Sequence, residues 1–149
     1  MRFTDSRSRG TRIGLVLAAV AALVASACSL STGPGSMPTV AHIVVQGTAP
    51  GSLQLILSTD FYEVKDQNGV ISEVYNSQDT TDITLPYDNR VQLTSLGSIS
   101  VKVRNTSATA ASVHLQVGLD NGQGFDHTAS IANGQEMSYI YVYTAPTFH

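Results

Sequence analysis

The strongest constraint on the fold of this chain is an alternation of apolar and polar side chains with a period of two. In segment 113–120, valine and leucine alternate with histidine, glutamine, glycine and aspartate, and segments 53–58 and 101–104 show related alternations. Such a pattern places one set of side chains in a core and the other toward water, as in a half-buried strand. No window of 11 residues after Pro38 has a convincing helical stripe. The sequence therefore predicts an all-β fold.

Turn-forming residues separate these segments at short intervals. Asn68-Gly69 is the strongest hairpin signal, Asn121-Gly122 and Asn133-Gly134 mark later turns, and Pro86 ends or edges a strand. The alternation and the turns together predict ten short strands, at 39–47, 52–59, 61–65, 70–75, 81–85, 90–96, 98–104, 112–119, 125–131 and 137–144. This spacing predicts an antiparallel sandwich of two sheets, with closure of one sheet into a small barrel as the alternative.

Residues 1–27 have the three-part layout of a secretory signal. Four arginines and one aspartate precede an apolar run, Ile13–Val24, which ends in the small residues Ala25-Ser26-Ala27. A retained membrane anchor is a weaker interpretation, because the apolar stretch of about 15 residues is shorter than the roughly 20 that a spanning helix needs. We expect the segment to direct export.

Cys28, the only cysteine, directly follows the small residues, as in a bacterial lipoprotein signal. Cleavage before it would leave Cys28 as the new N-terminus with lipid on its sulfur. The usual leucine three residues earlier is replaced by Ala25, so cleavage without acylation is the alternative. An unpaired thiol in an exported chain favours lipidation. We therefore expect a lipid anchor at Cys28 and a location in the cell envelope, with secretion as the alternative.

The remaining chain divides into a flexible tether, 28–38, rich in Ser, Thr, Gly and Pro, and one domain, 39–149. Without residues 1–27, four basic residues stand against ten acidic ones, for a net charge of −6. This charge argues against nucleic acid and anionic head groups as partners. The acidic residues are scattered along the sequence, which indicates solubility and not a cation-binding surface.

No residue pattern predicts catalysis, a cofactor or a metal site. There is no G-x-S-x-G motif, and His42, His114 and His127 lack the spacing of metal ligands and are interpreted as exposed histidines. Segment 120–126 resembles a calcium loop, but Gly122 and Gly124 occupy two ligand positions, so a glycine-rich connection is the better interpretation. We expect a non-enzymatic protein; a hydrolase with an unrecognised site is the alternative.

The last strand carries apolar or aromatic residues on both faces. Only one face can point into a sandwich, and the two sets are Ile140 and Val142 against Met137, Tyr139, Tyr141 and Tyr143. If the tyrosines point outward, their amphipathic rings suit a glycan, a small molecule or a protein partner. The other interpretations are that they face the core or that loops cover them.

Segments 46–51 (QGTAPG), 84–87 (TLPY), 100–107 (SVKVRNTS) and 113–122 resemble the extracytoplasmic domain of the mycobacterial small membrane protein (MmpS-like) family. The resemblance spans Val40–Thr144 and implies an immunoglobulin-like sandwich that assists an envelope transporter without catalysis. It transfers no functional residues, and the family's transmembrane helix and common cysteine pair have no counterpart here. The leading hypothesis is a lipid-anchored envelope protein that binds a protein partner. The alternative is a glycan or small-molecule binder that uses Tyr139, Tyr141 and Tyr143.

Overall fold

A computed structural model describes residues 35–144, which form eight β-strands. The predicted signal at 1–27, Cys28 and the first part of the tether lie outside the described residues. Within the described part, no helix is long and apolar enough to cross a membrane. The strands are β1 (Val40–Thr48), β2 (Leu53–Lys65), β3 (Ile71–Ile83), β4 (Tyr87–Gln92), β5 (Ile99–Asn105), β6 (Ala111–Leu119), β7 (Gly124–Ile131) and β8 (Glu136–Tyr141).

The strands form two four-stranded sheets. Sheet A has the order β4-β1-β6-β7 and sheet B the order β3-β2-β5-β8, and all neighbours are antiparallel. Hairpins join β2 to β3 and β6 to β7 within one sheet, while the other connections pass between the sheets. The predicted antiparallel sandwich is confirmed, immunoglobulin-like in its two packed sheets. The alternative of one sheet closed on itself is wrong.

The ten predicted strands correspond to eight, because two pairs of short segments are continuous. Segments 52–59 and 61–65 are both part of β2, which crosses shifts of register between Leu57 and Phe61. Segments 70–75 and 81–85 belong to β3, whose polar middle stays extended as an exposed edge of the sheet. A β-bulge lets a strand continue where the alternation of side chains breaks. The last strand ends at Tyr141 and is shorter than predicted.

The core is an apolar layer between the two sheets, and alternate residues of the central strands supply it. Each fully buried side chain contributes about 1.5–3 kcal/mol by leaving water. The main contributors are Ile43 and Val45 in β1, Leu53 and Leu55 in β2, Val101 and Val103 in β5, and Val113, Leu115 and Val117 in β6. Because the only cysteine lies outside this domain, packing holds the two sheets together without a disulfide.

Asn105 is a buried polar residue that joins the β5–β6 connection to the end of β7 at one end of the sandwich. Its Nδ2 atom donates to the carbonyl oxygens of Thr109, at 2.8 Å, and Ile131, at 2.9 Å. Its Oδ1 atom accepts the backbone N–H of Ser107 at 2.9 Å. All side-chain polar atoms of Asn105 are therefore bonded, as a buried amide requires.

Residues 35–38, at the end of the predicted tether, pack against the domain. Pro38 is buried, and the buried Asn121 donates from Nδ2 to the carbonyl oxygen of Ser36 at 3.0 Å. Asp120 then fixes the start of β1, because its two carboxylate oxygens accept the backbone N–H of Thr39 at 2.9 Å and its hydroxyl at 2.6 Å. These polar contacts hold residues 35–38, predicted as part of the tether, against the domain.

Asp120 should make the stability of the domain dependent on acid. Partial burial alone would raise the pKa of its carboxyl, but the hydrogen bonds from Thr39 and from nearby backbone groups outweigh burial and lower the pKa below 3.8. A carboxyl with a depressed folded pKa stabilises above its unfolded pKa, and the contribution disappears as the pH falls through the folded pKa. We expect Asp120→Asn to cost about 1 kcal/mol at pH 7.

Urea unfolding of wild type and Asp120→Asn between pH 7 and pH 2 measures this difference in free energy of unfolding. It should shrink below about pH 4, as the carboxyl takes up its proton. The matched control is Asp79→Asn, on the exposed edge of β3. A difference between wild type and Asp120→Asn that stays constant down to pH 2 would contradict the assignment.

Candidate functional site

The tyrosines of the last strand do not form an exposed stripe. Tyr139 and Tyr141 are partly buried and pack against the core between the sheets. Their register explains this orientation, because Tyr139 pairs with Val101 and Tyr141 with Ile99, both fully buried. The interpretation that the tyrosines point outward is therefore wrong for Tyr139 and Tyr141, which face the core.

Each of these tyrosines has a partner inside the domain. The ring of Tyr139 stacks on Phe125 with the centroids 5.2 Å apart, and burial, with a smaller effect of Tyr141, raises the pKa of its hydroxyl above 10.0. The hydroxyl of Tyr141 lies 3.1 Å from Asn121 Nδ2, and the hydroxyl of Tyr143 donates to the Gly35 carbonyl at 3.3 Å. These contacts give the three tyrosines structural roles.

His42 and His114 lie on the outer surface of sheet A, as predicted, and each bonds an aspartate, whereas the exposed His127 of β7 lies beside Phe125, with the ring centroids 5.9 Å apart. His42 Nε2 lies 2.7 Å from Asp88 Oδ1, and His114 Nε2 lies 2.7 Å from Asp126 Oδ1. An open depression of about 420 Å³ borders His42 and Asp126. The polar atoms of these two residues already have partners, because His42 bonds Asp88 and Asp126 bonds His114 and Gln116. Within residues 35–144, no group of three or more His, Cys, Asp or Glu side chains is placed to hold a metal ion.

The glycine-rich segment 120–126 connects β6 to β7. Its carboxylates are bonded in different places: Asp120 to Thr39, and Asp126 to His114 and Gln116. Hydrogen bonds from Gln116 and His114 lower the pKa of Asp126 below 3.8. The interpretation as a connection fits this arrangement, because the two carboxylates bond different partners and do not converge on one cation.

The β2–β3 hairpin extends beyond the rest of sheet B. β2 pairs with β5 only from Leu53 to Ser58, whereas its pairing with β3 continues to Lys65. Residues 61–75, which we call the distal hairpin, therefore form a ribbon of two strands. In such a ribbon neither face is covered by a second sheet unless another segment folds over it.

A compact set of contacts fixes the base of the distal hairpin. Phe61 is 2% exposed although it lies outside the core between the sheets, and its ring is 5.5 Å from that of Tyr75. The hydroxyl of Tyr75 lies 3.1 Å from Ser100 Oγ, and Lys102 Nζ lies 5.0 Å from the centre of its ring. Since Ser100 and Lys102 alternate with core residues of β5, this cluster lies on the outer face of sheet B.

The tip of the distal hairpin is a well-formed turn, as the Asn68-Gly69 pair predicts. Asp66 Oδ1 accepts the backbone N–H groups of Asn68 and Val70, both at 2.8 Å. Gly69 has a φ of 84°, a conformation that residues with a Cβ rarely adopt. The turn and the base therefore hold the ribbon at both ends.

The exposed apolar surface of the domain is concentrated on the distal hairpin. Six large apolar side chains of the described residues are markedly exposed, and five of them belong to residues 61–75. Tyr62 and Val74 pair directly across the strands. Single exposed apolar residues are ordinary, but a contiguous group marks an interaction site. The five residues are Tyr62, Val64, Val70, Ile71 and Val74. Tyr62, Val64 and Val74 share one face of the ribbon, whereas Ile71, which pairs with Lys65, lies on the other.

The β2–β3 hairpin as a whole carries most of the negative charge. Residues 60–83 contain six of the ten acidic residues of the described part and one of its four basic residues, Lys65. Glu63 and Glu73 face one another directly across the two strands, an arrangement that is unfavourable on its own. The expectation that the acidic residues are scattered is therefore wrong in three dimensions, because the pairing of β2 with β3 brings distant positions together.

The chain matches no protein-family model, no curated protein and no solved structure at a significant level. The resemblance to the MmpS-like family therefore stays a prediction. The site is assigned here from the geometry, exposure and charge of the distal hairpin alone.

The sequence contains a signal for this site that is separate from the alternation of apolar and polar residues. Phe61 and Tyr62 are adjacent, so two aromatic rings must point to opposite faces of one strand. Beside a strong hairpin turn, one of these rings has no core to enter. The other apolar residues of the site, such as Val70 and Ile71, look like ordinary strand residues in the sequence.

Phe61 and Tyr62 should therefore respond very differently to truncation. Phe61→Ala removes a buried ring and should lower the free energy of unfolding by about 3 kcal/mol. Tyr62→Ala, one residue away and 50% exposed, should cost less than about 0.5 kcal/mol. Chemical denaturation of the two variants measures both values. Equal losses would mean that Tyr62 is part of the packed structure and would remove it from the site.

Proposed function

We propose that this protein is a non-enzymatic component of the cell envelope, held to a membrane by lipid on Cys28, and that its distal hairpin binds a protein partner. The observation that carries the proposal is the concentration of exposed apolar side chains on residues 61–75. A rigid ribbon with uncovered apolar residues is costly to keep in water unless another surface covers it. The role of a transport or surface-assembly accessory, implied by the resemblance, is compatible with such a partner.

A protein partner explains the hairpin better than direct insertion into a membrane. Glu63, Asp66 and Glu73 lie among the exposed apolar residues, and Lys65 is the only basic residue within 61–75. Anionic head groups repel such a surface, and carboxylates resist transfer into the apolar part of a bilayer. A protein surface with basic groups beside apolar ones satisfies both kinds of side chain.

The base of the distal hairpin lies at the end of the sandwich where the chain enters from the tether. Thr94 Oγ1 donates to the Thr59 carbonyl at 2.8 Å, and Leu93 N donates to the Thr39 carbonyl at 2.8 Å. The ribbon of five residue pairs has a length of about 16 Å. It begins at the end of the domain that follows the proposed anchor on Cys28, which supports a partner that lies at the membrane surface.

Lipidation is tested by metabolic labelling with a clickable palmitate analogue in a bacterial host. Wild type should take up the label, and Cys28→Ala should not, because the cysteine sulfur carries the lipid. The domain is unchanged in the variant, so its folding serves as the control. Absence of label from both forms, with release of the domain into solution, would mean ordinary secretion.

Partner binding is tested by a photoreactive amino acid placed at position 62 and, as a matched control, at position 128, an exposed position of β7 in the other sheet. In intact envelopes of the native host, position 62 should give a discrete protein adduct and position 128 none. Val64→Thr together with Val74→Thr should reduce the adduct at least fivefold, since both valines belong to the same surface. Equal adducts from the two positions, or adducts with lipid only, would contradict the proposal.

A further inference from the structure

The free edge of sheet B is its longest strand. β3 has 13 residues and pairs only with β2, whereas the other three edge strands, β4, β7 and β8, have 6, 8 and 6 residues. On an edge strand, alternate backbone N–H and C=O groups point away from the sheet and are able to pair with another strand. β3 therefore presents the longest such row in the described part of the molecule.

Beyond its register shifts, this edge lacks most of the usual protection against pairing. Natural edges are blunted by shortness, by proline, by charged side chains (especially lysine) or by bulges. β3 contains no proline, lysine or arginine, and its charged residues are all acidic. By comparison, β4 begins one residue after Pro86 and contains Arg90. The register shifts involve residues 76–78 of β3 and leave residues 79–83 regular.

Residues 79–83 are also firmly held on their paired side. Asp79 to Ile83 pair in unbroken register with Leu57 to Leu53 of β2, which is itself paired with β5 on its other side. The side chains of residues 78–82 are all exposed, while Ile83 is buried. The segment is thus a rigid, solvent-facing template whose order does not depend on the distal hairpin.

The acidic side chains of β3 determine which kind of strand pairs favourably with this segment. Asp79 and Asp82 lie on it, Glu73 lies on the same strand, and none of them forms an ion pair with another described residue. By contrast, Lys102 and Arg104 of the same sheet both contact Glu136. A second copy of this chain, paired through β3, would bring acidic residues together, which is unfavourable. A basic strand would meet unpaired carboxylates.

We infer that an extended, basic segment of a protein partner adds as a strand to the free edge of β3, along residues 78–83. Backbone hydrogen bonds supply affinity in this mode of recognition, and side chains supply selectivity. Lysine or arginine of the segment lies beside Asp79 and Asp82, and the adjoining part of the partner covers the apolar residues of the distal hairpin. The inference rests on the proposed function, since it names the chemistry of the partner.

The test uses the full chain and three labelled ten-residue peptides, with binding followed by fluorescence anisotropy. In the first peptide, two lysines alternate with one valine, so that lysines lie on both faces of the strand, as Asp79 and Asp82 do. The second peptide has glutamate in place of each lysine, and the third is the lysine peptide with alternate amides N-methylated. The lysine peptide should bind at least tenfold more tightly than either of the others. The N-methylated peptide keeps the charge but lacks half of the backbone donors, so it separates strand addition from simple attraction between charges.

Charge reversal supplies the matched variants. Asp79→Lys together with Asp82→Lys should transfer the preference from the lysine peptide to the glutamate peptide, while Asp88→Lys, on the edge of sheet A, should leave the preference unchanged. Hydrogen exchange should show slower exchange of backbone amides within 78–83 when the lysine peptide is bound. Circular dichroism of each variant confirms that the fold is retained.

Several results would overturn the inference: no binding of the lysine peptide, equal binding of its N-methylated form, or amide protection elsewhere in the domain. The cross-linking experiment keeps this failure apart from failure of the proposed function. A protein adduct at position 62 without peptide binding at β3 would leave the partner-binding hairpin in place and remove only strand addition. Absence of both would remove both proposals.

Discussion

The apolar layer between the two sheets is the interaction on which the rest of the structure depends. Its side chains come from alternate positions of the strands, so a shift of one residue in any register would exchange the buried and exposed faces. No disulfide shares this role, because the domain contains no cysteine. The burial of Val101 and Ile99 also decides the orientation of the last strand, where it turns Tyr139 and Tyr141 toward the core. A surface that looks suited to ligands in the sequence is thereby used for packing.

The candidate site arises where this layer ends. β2 and β3 continue past the last residue that pairs with β5, and a change of register near Ser58 places Phe61 on the outer face of sheet B. Phe61 and Tyr75 form a small separate cluster there, which holds the ribbon without help from the main core. The hairpin can therefore expose Tyr62, Val64 and Val74 while its base remains fixed. This separation lets the domain keep a binding surface that contributes little to its own stability.

The all-β class, the strand positions and the Asn68-Gly69 turn could be predicted from the sequence, because they depend on local alternation and turn chemistry. The continuity of β2 and β3 could not, because a bulge interrupts the alternation that defines a strand in the sequence. The gathering of acidic residues also escaped prediction: Glu63 and Glu73 are ten positions apart, and only the pairing of the strands makes them neighbours. The site is visible in part, through the adjacent Phe61 and Tyr62, but its free edge depends on strand order. Strand order is set by long-range packing, which a single sequence does not reveal.

The position of β1 has a mechanical consequence. The chain enters the domain through Thr39, which Asp120 holds, and continues directly into β1, a strand with neighbours on both sides in sheet A. A force applied through an anchor at the N-terminus therefore reaches β1 first, and the ladders of β1 with β4 and β6 share it. A partner bound to the hairpin would pull on the opposite sheet through β2. Tension between anchor and partner would then be carried from one central strand to another across the apolar layer.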